Sequence, residues 1–158
     1  MSTLLYQDKP KYDLWLKFIL GSIVTFTFVL GVIYISRDTE AAIVMFGITL
    51  FVGLLFKAIL PRKLQIFDDK LRIVLGGPLS VDIALSNIAE VKTTSGSKAL
   101  VYWGIKFATS TSHVVEIIRK KGLNMIISPG NPDMFMEQFK QAQKASGSGP
   151  DISPSSFI

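Results

Sequence analysis

The sequence predicts an α+β membrane protein. A transmembrane hairpin of two helices precedes a small β-barrel of about seven strands, which a C-terminal α-helix closes. Three observations lead to this fold class. Two long apolar runs precede Pro61, and short runs with a two-residue hydrophobic period follow it. Near the end of the chain, "NMIISPGNPDMFMEQFKQ" passes from a strand-like run through a Pro-Gly-Asn-Pro turn directly into an amphipathic helix.

The first two predicted elements are transmembrane helices over residues 18–36 and 41–60, joined by the four residues "RDTE". The first run has 19 residues without a charged side chain, which at ~1.5 Å per residue extends ~28 Å, about the thickness of a bilayer core. The second run carries one charge, Lys57, near its end, where a long side chain can reach the headgroups. A cleaved signal peptide is the alternative for the first run, but its apolar stretch is usually only ~7–15 residues.

Basic residues near the ends of the two runs predict the orientation of the hairpin. The segment between the runs carries one basic residue, Arg37, beside Asp38 and Glu40. The two outer flanks carry the others: Lys9, Lys11, Lys17, Lys57, Arg62 and Lys63. Because basic flanks stay on the cytoplasmic side, we expect a multi-pass protein of the cell membrane with both termini in the cytoplasm.

The chain after Pro61 has the alternation of half-buried strands. Leu64 and Ile66 alternate with Gln65 and Phe67, as on the two faces of one strand. The seven predicted strands lie in "KLQIF", "LRIVL", "SVDIAL", "NIAEVKTT", "LVYWGIKFA", "HVVEIIR" and "LNMIIS". Turns are predicted at 68–70, 76–78 and 120–122, the last with Gly122 at positive φ.

The last predicted element is the helix that follows the Pro-Gly-Asn-Pro turn. Asn131 is expected to cap its N-terminus, and Pro132 suits the first helical position because its missing N–H costs nothing there. Phe135, Phe139 and Ala142 form an apolar stripe that can cover one end of a barrel. The predicted organisation is a cytoplasmic N-terminal segment, a transmembrane hairpin, a barrel domain and a disordered Ser/Gly/Pro-rich tail, over 1–17, 18–60, 61–143 and 144–158.

Two segments resemble a known family. "PRKLQIFDDKLRIVLGGPLSVDIALSNIAEVK" is similar to the first half of bacterial pleckstrin-homology-like (PH-like) domains, in which a pattern I-x-L-x-x-I-x-x-V follows the second hairpin. Here the pattern is Ile83, Leu85, Ile88 and Val91. "KKGLNMIISPGNPDMFMEQF" resembles the end of such domains, where ISP-x-x-P-x-x-F joins the last strand to the helix. The resemblance covers residues 15–143. It implies a prokaryotic PH-like fold behind a transmembrane hairpin, without general catalytic residues.

The side chains needed for common catalytic sites are scarce. The chain has no cysteine and one histidine, His113, which leaves few routes to nucleophilic or metal chemistry. Ser112 and His113 are expected to point to opposite faces of one strand. "LGGPLS" and "TTSGSK" lack the spacing of a phosphate-binding loop, and Asp68-Asp69 is read as a solvated turn rather than a cation site. We therefore expect no enzyme, no catalytic residue, no metal and no cofactor.

Basic side chains are the functional signal of the domain after the membrane. Seven of them are candidates for lipid or partner contact: Arg62, Lys63, Lys70, Arg72, Arg119, Lys120 and Lys121. The expected function is a membrane-anchored, non-catalytic binding or assembly module, an accessory component of a membrane protein complex. Membrane lipids and a membrane-protein partner or a second copy are the expected partners, and nucleic acid is not. The alternatives are a sensor of anionic lipid headgroups that uses the basic hairpins, and a small enzyme or a subunit supporting one.

Overall fold

The structure is a computed structural model, and it describes residues 2–94 and 103–147. Within these residues the chain is an α+β protein with three helices and two sheets. The helices are α1 (Leu14–Tyr34), α2 (Thr39–Ile59) and α3 (Pro132–Ala145). The strands are β1 (Leu4–Asp8), β2 (Pro61–Phe67), β3 (Lys70–Leu75), β4 (Ser80–Ala84), β5 (Ile88–Thr94), β6 (Ile105–Phe107), β7 (Val114–Arg119) and β8 (Met125–Ile127). A 3₁₀ turn, Leu85–Asn87, joins β4 to β5.

Helices α1 and α2 form the predicted hairpin. Each has 21 residues and is long and apolar enough to cross a membrane, with only 6% of its most apolar window buried inside the chain. Helix α1 begins four residues before the predicted bound. Helix α2 begins at Thr39 because the Asp38 side chain accepts a hydrogen bond from the Ala41 N–H. Two apolar helices are therefore present where the spans were predicted, and both ends of each helix lie one to four residues earlier than predicted.

Close contacts hold the two long helices together. Gly31 lies against the ring of Phe46, so that a Cβ at Gly31 would come within 3.0 Å of that ring. The Thr49 hydroxyl donates a hydrogen bond to the Thr27 hydroxyl at 3.0 Å. A small residue and a polar pair between helices are typical of helix packing in membranes.

The strands form two four-stranded sheets. The first sheet has the order β1-β2-β3-β4, and all its neighbours are antiparallel. The second has the order β5-β7-β8-β6, with β6 parallel to β8. The described strands do not close into one barrel. The sheets enclose a shared core with α3 instead.

Strand β1 lies in the segment before the first long helix, which was predicted to be a separate N-terminal segment. It pairs with β2, with Gln7 opposite Gln65, and the Gln65 amide donates to the Gln7 side-chain oxygen at 2.8 Å. The N–H of Asp68 donates a hydrogen bond to the Thr3 carbonyl at 3.1 Å. Residues on both sides of the helical hairpin therefore build the same sheet.

The buried core confirms the predicted faces of the strands and of α3. Leu64 and Ile66 are buried in β2, while Phe135, Phe139 and Ala142 are buried on α3. Asn131 caps α3 by accepting from the Met134 N–H at 3.1 Å, and Pro132 is its first residue. Gly122 has a φ of 94°, as predicted for the turn between β7 and β8.

Some predicted features lie outside the described residues. Only Ile105–Phe107 of the predicted strand "LVYWGIKFA" is a strand within the described part. Most of "TTSGSK" and the part of the predicted tail from residue 148 onward also lie outside it.

Candidate functional site

The two sheets have a near end, which contacts the long helices, and a far end opposite. At the near end the turn between β3 and β4 packs on α2, since a Cβ at Gly76 would overlap the carbonyl oxygen of Lys57. The Tyr12 hydroxyl donates to the carbonyl of Pro61 there. The turns at Asp68 and Asn87 lie at the other ends of the strands. Strands of six or seven residues at ~3.3 Å each separate the two ends by ~20 Å.

Two of the predicted contact residues, Lys70 and Arg72, form ion pairs with the same carboxylate, that of Asp82. Arg72 donates to both carboxylate oxygens of Asp82 at 2.7 Å, and the Lys70 ammonium lies 3.0 Å from one of them. The Arg72 hydrogen bonds lower the pKa of Asp82 to about 2. Both cations also lie over the Phe67 ring, 5.9 Å and 5.6 Å from its centre. Lys70 and Arg72 are thus engaged within the first sheet.

The remaining basic candidates divide between the two ends. Arg62 and Lys63 are exposed near the start of β2, at the near end. Arg119, Lys120 and Lys121 lie at the far end, where the N–H groups of the two lysines donate to the backbone and side-chain oxygens of Asn87. The structure therefore does not bring the seven residues together. Headgroup sensing by the hairpin residues stays a prediction.

A polar junction at the near end joins the start of α1 to the second sheet. The Asp13 carboxylate accepts hydrogen bonds from the Ser110 hydroxyl at 2.6 Å, from the Thr111 N–H at 2.7 Å and from the Thr111 hydroxyl at 2.8 Å. The Trp15 indole N–H donates to the same carboxylate at 3.1 Å. The Ser110 hydrogen bond, followed by that of the Thr111 N–H, holds the pKa of Asp13 well below its usual range.

Buried hydrogen bonds extend this junction into the sheet. The Ser128 hydroxyl accepts from the N–H groups of Thr109 and Ser110 at 3.1 Å and 3.0 Å and donates to the Ser110 carbonyl. The Lys11 N–H donates to the Ser128 carbonyl at 2.9 Å, and the Asp13 N–H to the Thr109 carbonyl at 3.0 Å. The first transmembrane candidate is thereby fixed to the sheet by both main-chain and side-chain bonds.

Ser112 and His113 are closer than the strand alternation predicted. The Ser112 hydroxyl and the His113 Nδ1 lie 2.8 Å apart. The two residues precede β7, which begins at Val114, so the alternation of a strand does not apply to them. The nearby carboxylate of Asp13 contacts Ser110 rather than the imidazole. This arrangement lacks the serine–histidine–carboxylate order of a hydrolytic triad.

The acidic pair Asp68 and Asp69 binds the N-terminal segment. The Asp68 carboxylate accepts from the Thr3 N–H at 3.0 Å, and that of Asp69 accepts from the Ser2 hydroxyl at 3.3 Å. In the part of the chain that the structure describes, no group of three or more His, Cys, Asp or Glu side chains is placed to hold a metal ion.

A groove between β5 and α3 is the candidate functional site. Its volume is about 280 Å³. Val91, Met136 and Phe139 supply its apolar surface, and charged side chains stand beside them. The full lining is Ala89, Glu90, Val91, Met136, Phe139, Lys140, Gln143 and Lys144. Among the described strands β5 is an edge of the second sheet, so the groove combines apolar side chains with the edge of a strand.

Two contacts at opposite ends of β5 fix the distance between β5 and α3, the two walls of the groove. The Gln143 amide donates to the Ile88 carbonyl at 3.2 Å, and the Thr93 hydroxyl contacts the Met136 sulfur at 3.2 Å. The sequence predicts β5 and α3 separately, but their juxtaposition depends on the packing of the second sheet. Met136 follows the buried Phe135 on the helix and so faces another direction, which is the one local signal of a second apolar surface.

Comparisons with known proteins assign no family to the chain. No family model, curated protein or solved structure matches it.

Proposed function

We propose that the chain is a membrane-anchored, non-catalytic binding module and an accessory component of a membrane protein complex. The observation that carries the proposal is the groove between β5 and α3. Its ligand would be an extended, apolar segment of a protein partner. The anchor would be the hairpin of α1 and α2, and the binding domain would be PH-like.

The order of elements supports a PH-like domain. Strands β2 to β8 followed by α3 give seven strands and one C-terminal helix. Ile83, Leu85 and Ile88 of the family-like pattern are buried, and Val91 packs against the same core. Strand β1 and the parallel pairing of β6 with β8 depart from the simple seven-strand order. In a PH-like reading, β1 is an addition to the edge of the first sheet.

The near-end hydrogen bonds support the anchoring arrangement. Lys11 and Asp13 precede α1 and bond directly to Ser128 and Thr109, which flank strands of the second sheet. Pro61 follows α2 and begins β2. If the hairpin spans a bilayer, the N-terminal segment and the sheets must therefore lie on the same side. The basic flanks support a cytoplasmic location for that side.

The groove supports recognition of an extended segment. An edge strand can pair with the main chain of a partner, while a neighbouring pocket selects its side chains. Each large apolar side chain buried in such a site contributes ~1.5–3 kcal/mol before the costs of association. Lys140 and Lys144 on α3 favour an acidic residue near the apolar anchor.

The experiment uses two exposed alanines as a matched pair. Ala89→Arg puts a long side chain into the groove, whereas Ala84→Arg makes the same change on β4, outside the groove lining. Each full-length variant is purified from its native membrane in mild detergent, and the copurifying proteins are identified. We expect a stable partner to be lost with Ala89→Arg and retained with Ala84→Arg and with His113→Ala. A partner retained equally by all three variants would contradict binding at the groove.

A further inference from the structure

We infer that the groove between β5 and α3 receives a segment of this same chain, residues 148–158, which acts as an internal competitor of an outside partner. The inference rests on the proposed function, because it assigns the resident ligand of the proposed binding site. We call residues 148–158 the tail segment.

The path of the chain brings the tail segment to the groove. Gln143 and Lys144, in the last turn of α3, line the groove, and the helix ends at Ala145. The N–H of Ser146 donates to the Ala142 carbonyl at 2.9 Å, and Gly147 adopts a φ of +65°. A glycine in the left-handed region ends a helix and turns the chain away from the helix axis. The tail segment therefore starts four residues beyond Lys144, a lining residue.

The tail segment is long enough to fill the groove. Its 11 residues can extend over ~36 Å at ~3.3 Å per residue. The groove follows α3 from Met136 to Lys144, a distance of ~12 Å at ~1.5 Å per residue. A short spacer and an extended segment along the whole groove both fit within this reach.

The side chains of the tail segment complement the groove. In "SGPDISPSSFI", Ile152, Phe157 and Ile158 are large apolar residues separated by small polar ones. Pro150 and Pro154 favour extended backbone in their neighbourhood. The groove has a volume of about 280 Å³, slightly below the ~300 Å³ at which sites for small-molecule ligands begin, and this size suits one or two such side chains.

The charged side chains of the groove also complement a charge in the tail segment. Asp151 precedes the first apolar residue of the tail segment. On the groove side, Lys140 and Lys144 are exposed one helical turn apart on α3. Glu90 also lines the groove, on the strand side. The tail segment should therefore place Asp151 toward the helix and away from the strand.

Attachment to the same chain makes the tail segment an effective competitor. A short flexible connection gives an effective concentration on the order of 1 mM. If the tail segment alone binds with a dissociation constant of about 0.1 mM, it weakens an outside partner by about tenfold. Release of the tail segment would then raise the affinity of the module for its partner.

The absence of cysteine makes a direct test simple. Ser155→Cys supplies a single thiol for a nitroxide label, and the methionine methyl groups are enriched in ¹³C in the full chain in detergent micelles. Met136 lines the groove, whereas Met134 is 48% exposed two positions earlier on α3 and serves as the internal control. We expect the nitroxide to broaden the Met136 signal more than the Met134 signal. Equal broadening, or none, would overturn the inference.

Groove variants and a separated tail complete the test. Ala89→Arg, and in parallel Lys140→Glu with Lys144→Glu, should remove the selective broadening, and an unchanged Met125 signal reports that the core is intact. A synthetic peptide of residues 148–158 should bind a chain that ends at Gly147 about tenfold more tightly than it binds the full chain. Selective broadening that survives both groove variants would overturn the inference. Equal binding of the peptide to the two chains would also overturn it. A partner lost only with Ala89→Arg would still leave the proposed function standing.

Discussion

Asp13 joins the first long helix to the second sheet through one carboxylate. An aspartate just before an apolar helix is typical of a residue that caps its own helix. Here its side chain makes no such capping bond and instead accepts from Ser110 and Thr111. The partners lie far along the chain, so no local pattern could have predicted this role. Phe139 is the opposite case, since its helical spacing from Phe135 predicted its burial directly.

The residue Phe139 gives a stability prediction. Its side chain is 2% exposed and stacks on Phe135 with ring centres 6.5 Å apart. Phe139→Ala should lower the free energy of unfolding of the sheets and α3 by ~3–5 kcal/mol, because it removes a buried ring and leaves a cavity. Urea unfolding of the full chain in detergent measures this, with the exposed Gln141→Ala as the control. An unchanged urea midpoint for Phe139→Ala would show that α3 does not cover the core.

Asp13 gives a pH prediction. Because its pKa is lowered in the folded chain, its contribution to stability is complete above the unfolded pKa of ~3.9 and is lost as the pH falls below that value. Asp13→Asn should therefore lower stability at neutral pH and reduce the loss between pH 5 and pH 2. Urea midpoints across this range for both chains measure the effect. Parallel pH profiles, offset by a constant, would show that Asp13 does not titrate as a partner of Ser110 and Thr111.

At the scale of elements, β1 and the groove required tertiary information. Strand β1 has five residues and lacks a clean alternation of buried and exposed positions, and its partner β2 follows both long helices. Only the return of the chain after α2 makes the pairing possible. The elements from β2 to α3 were predictable because hydrophobic period and turn residues agree along that part of the chain. The order β5-β7-β8-β6, which brings β5 to an edge, depends on nonlocal pairing that periodicity does not encode.

Strand β1 gives a prediction about the domain boundary. Deletion of residues 2–8 should destabilise the sheets by ~1.5–3 kcal/mol, because Tyr6 loses its packing against the core and β2 loses a neighbour. Hydrogen exchange of the β2 amides in the full-length chain and in the deletion variant measures the effect. Gln7→Ala, which keeps the strand, should leave the exchange nearly unchanged. Equal protection of β2 with and without residues 2–8 would place β1 outside the cooperative unit.

At the scale of the whole molecule, the hairpin and the sheets form one connected arrangement. Residues before α1 and after α2 meet at the near end of the sheets through Tyr12, Pro61 and the Asp13 junction. The sequence predicted a hairpin and a following domain, because length and apolarity are local properties. The sequence did not predict that the N-terminal segment attaches to that domain, because this attachment depends on contacts between residues far apart in the chain. If the two long helices cross a membrane, this attachment requires the N-terminal segment and the sheets to lie on the same side of it.

Membrane topology is the measurement that tests the account of an anchored module most directly. The chain has no cysteine, so single cysteines at Ser2, Thr39 and Ser148 can be probed one at a time in intact cells with a membrane-impermeant thiol reagent. We expect labelling at Thr39, in the connection between the helices, and labelling at Ser2 and Ser148 only after the membrane is permeabilised. Labelling of intact cells at Ser2 or Ser148 but not at Thr39 would contradict a hairpin that holds the sheets in the cytoplasm.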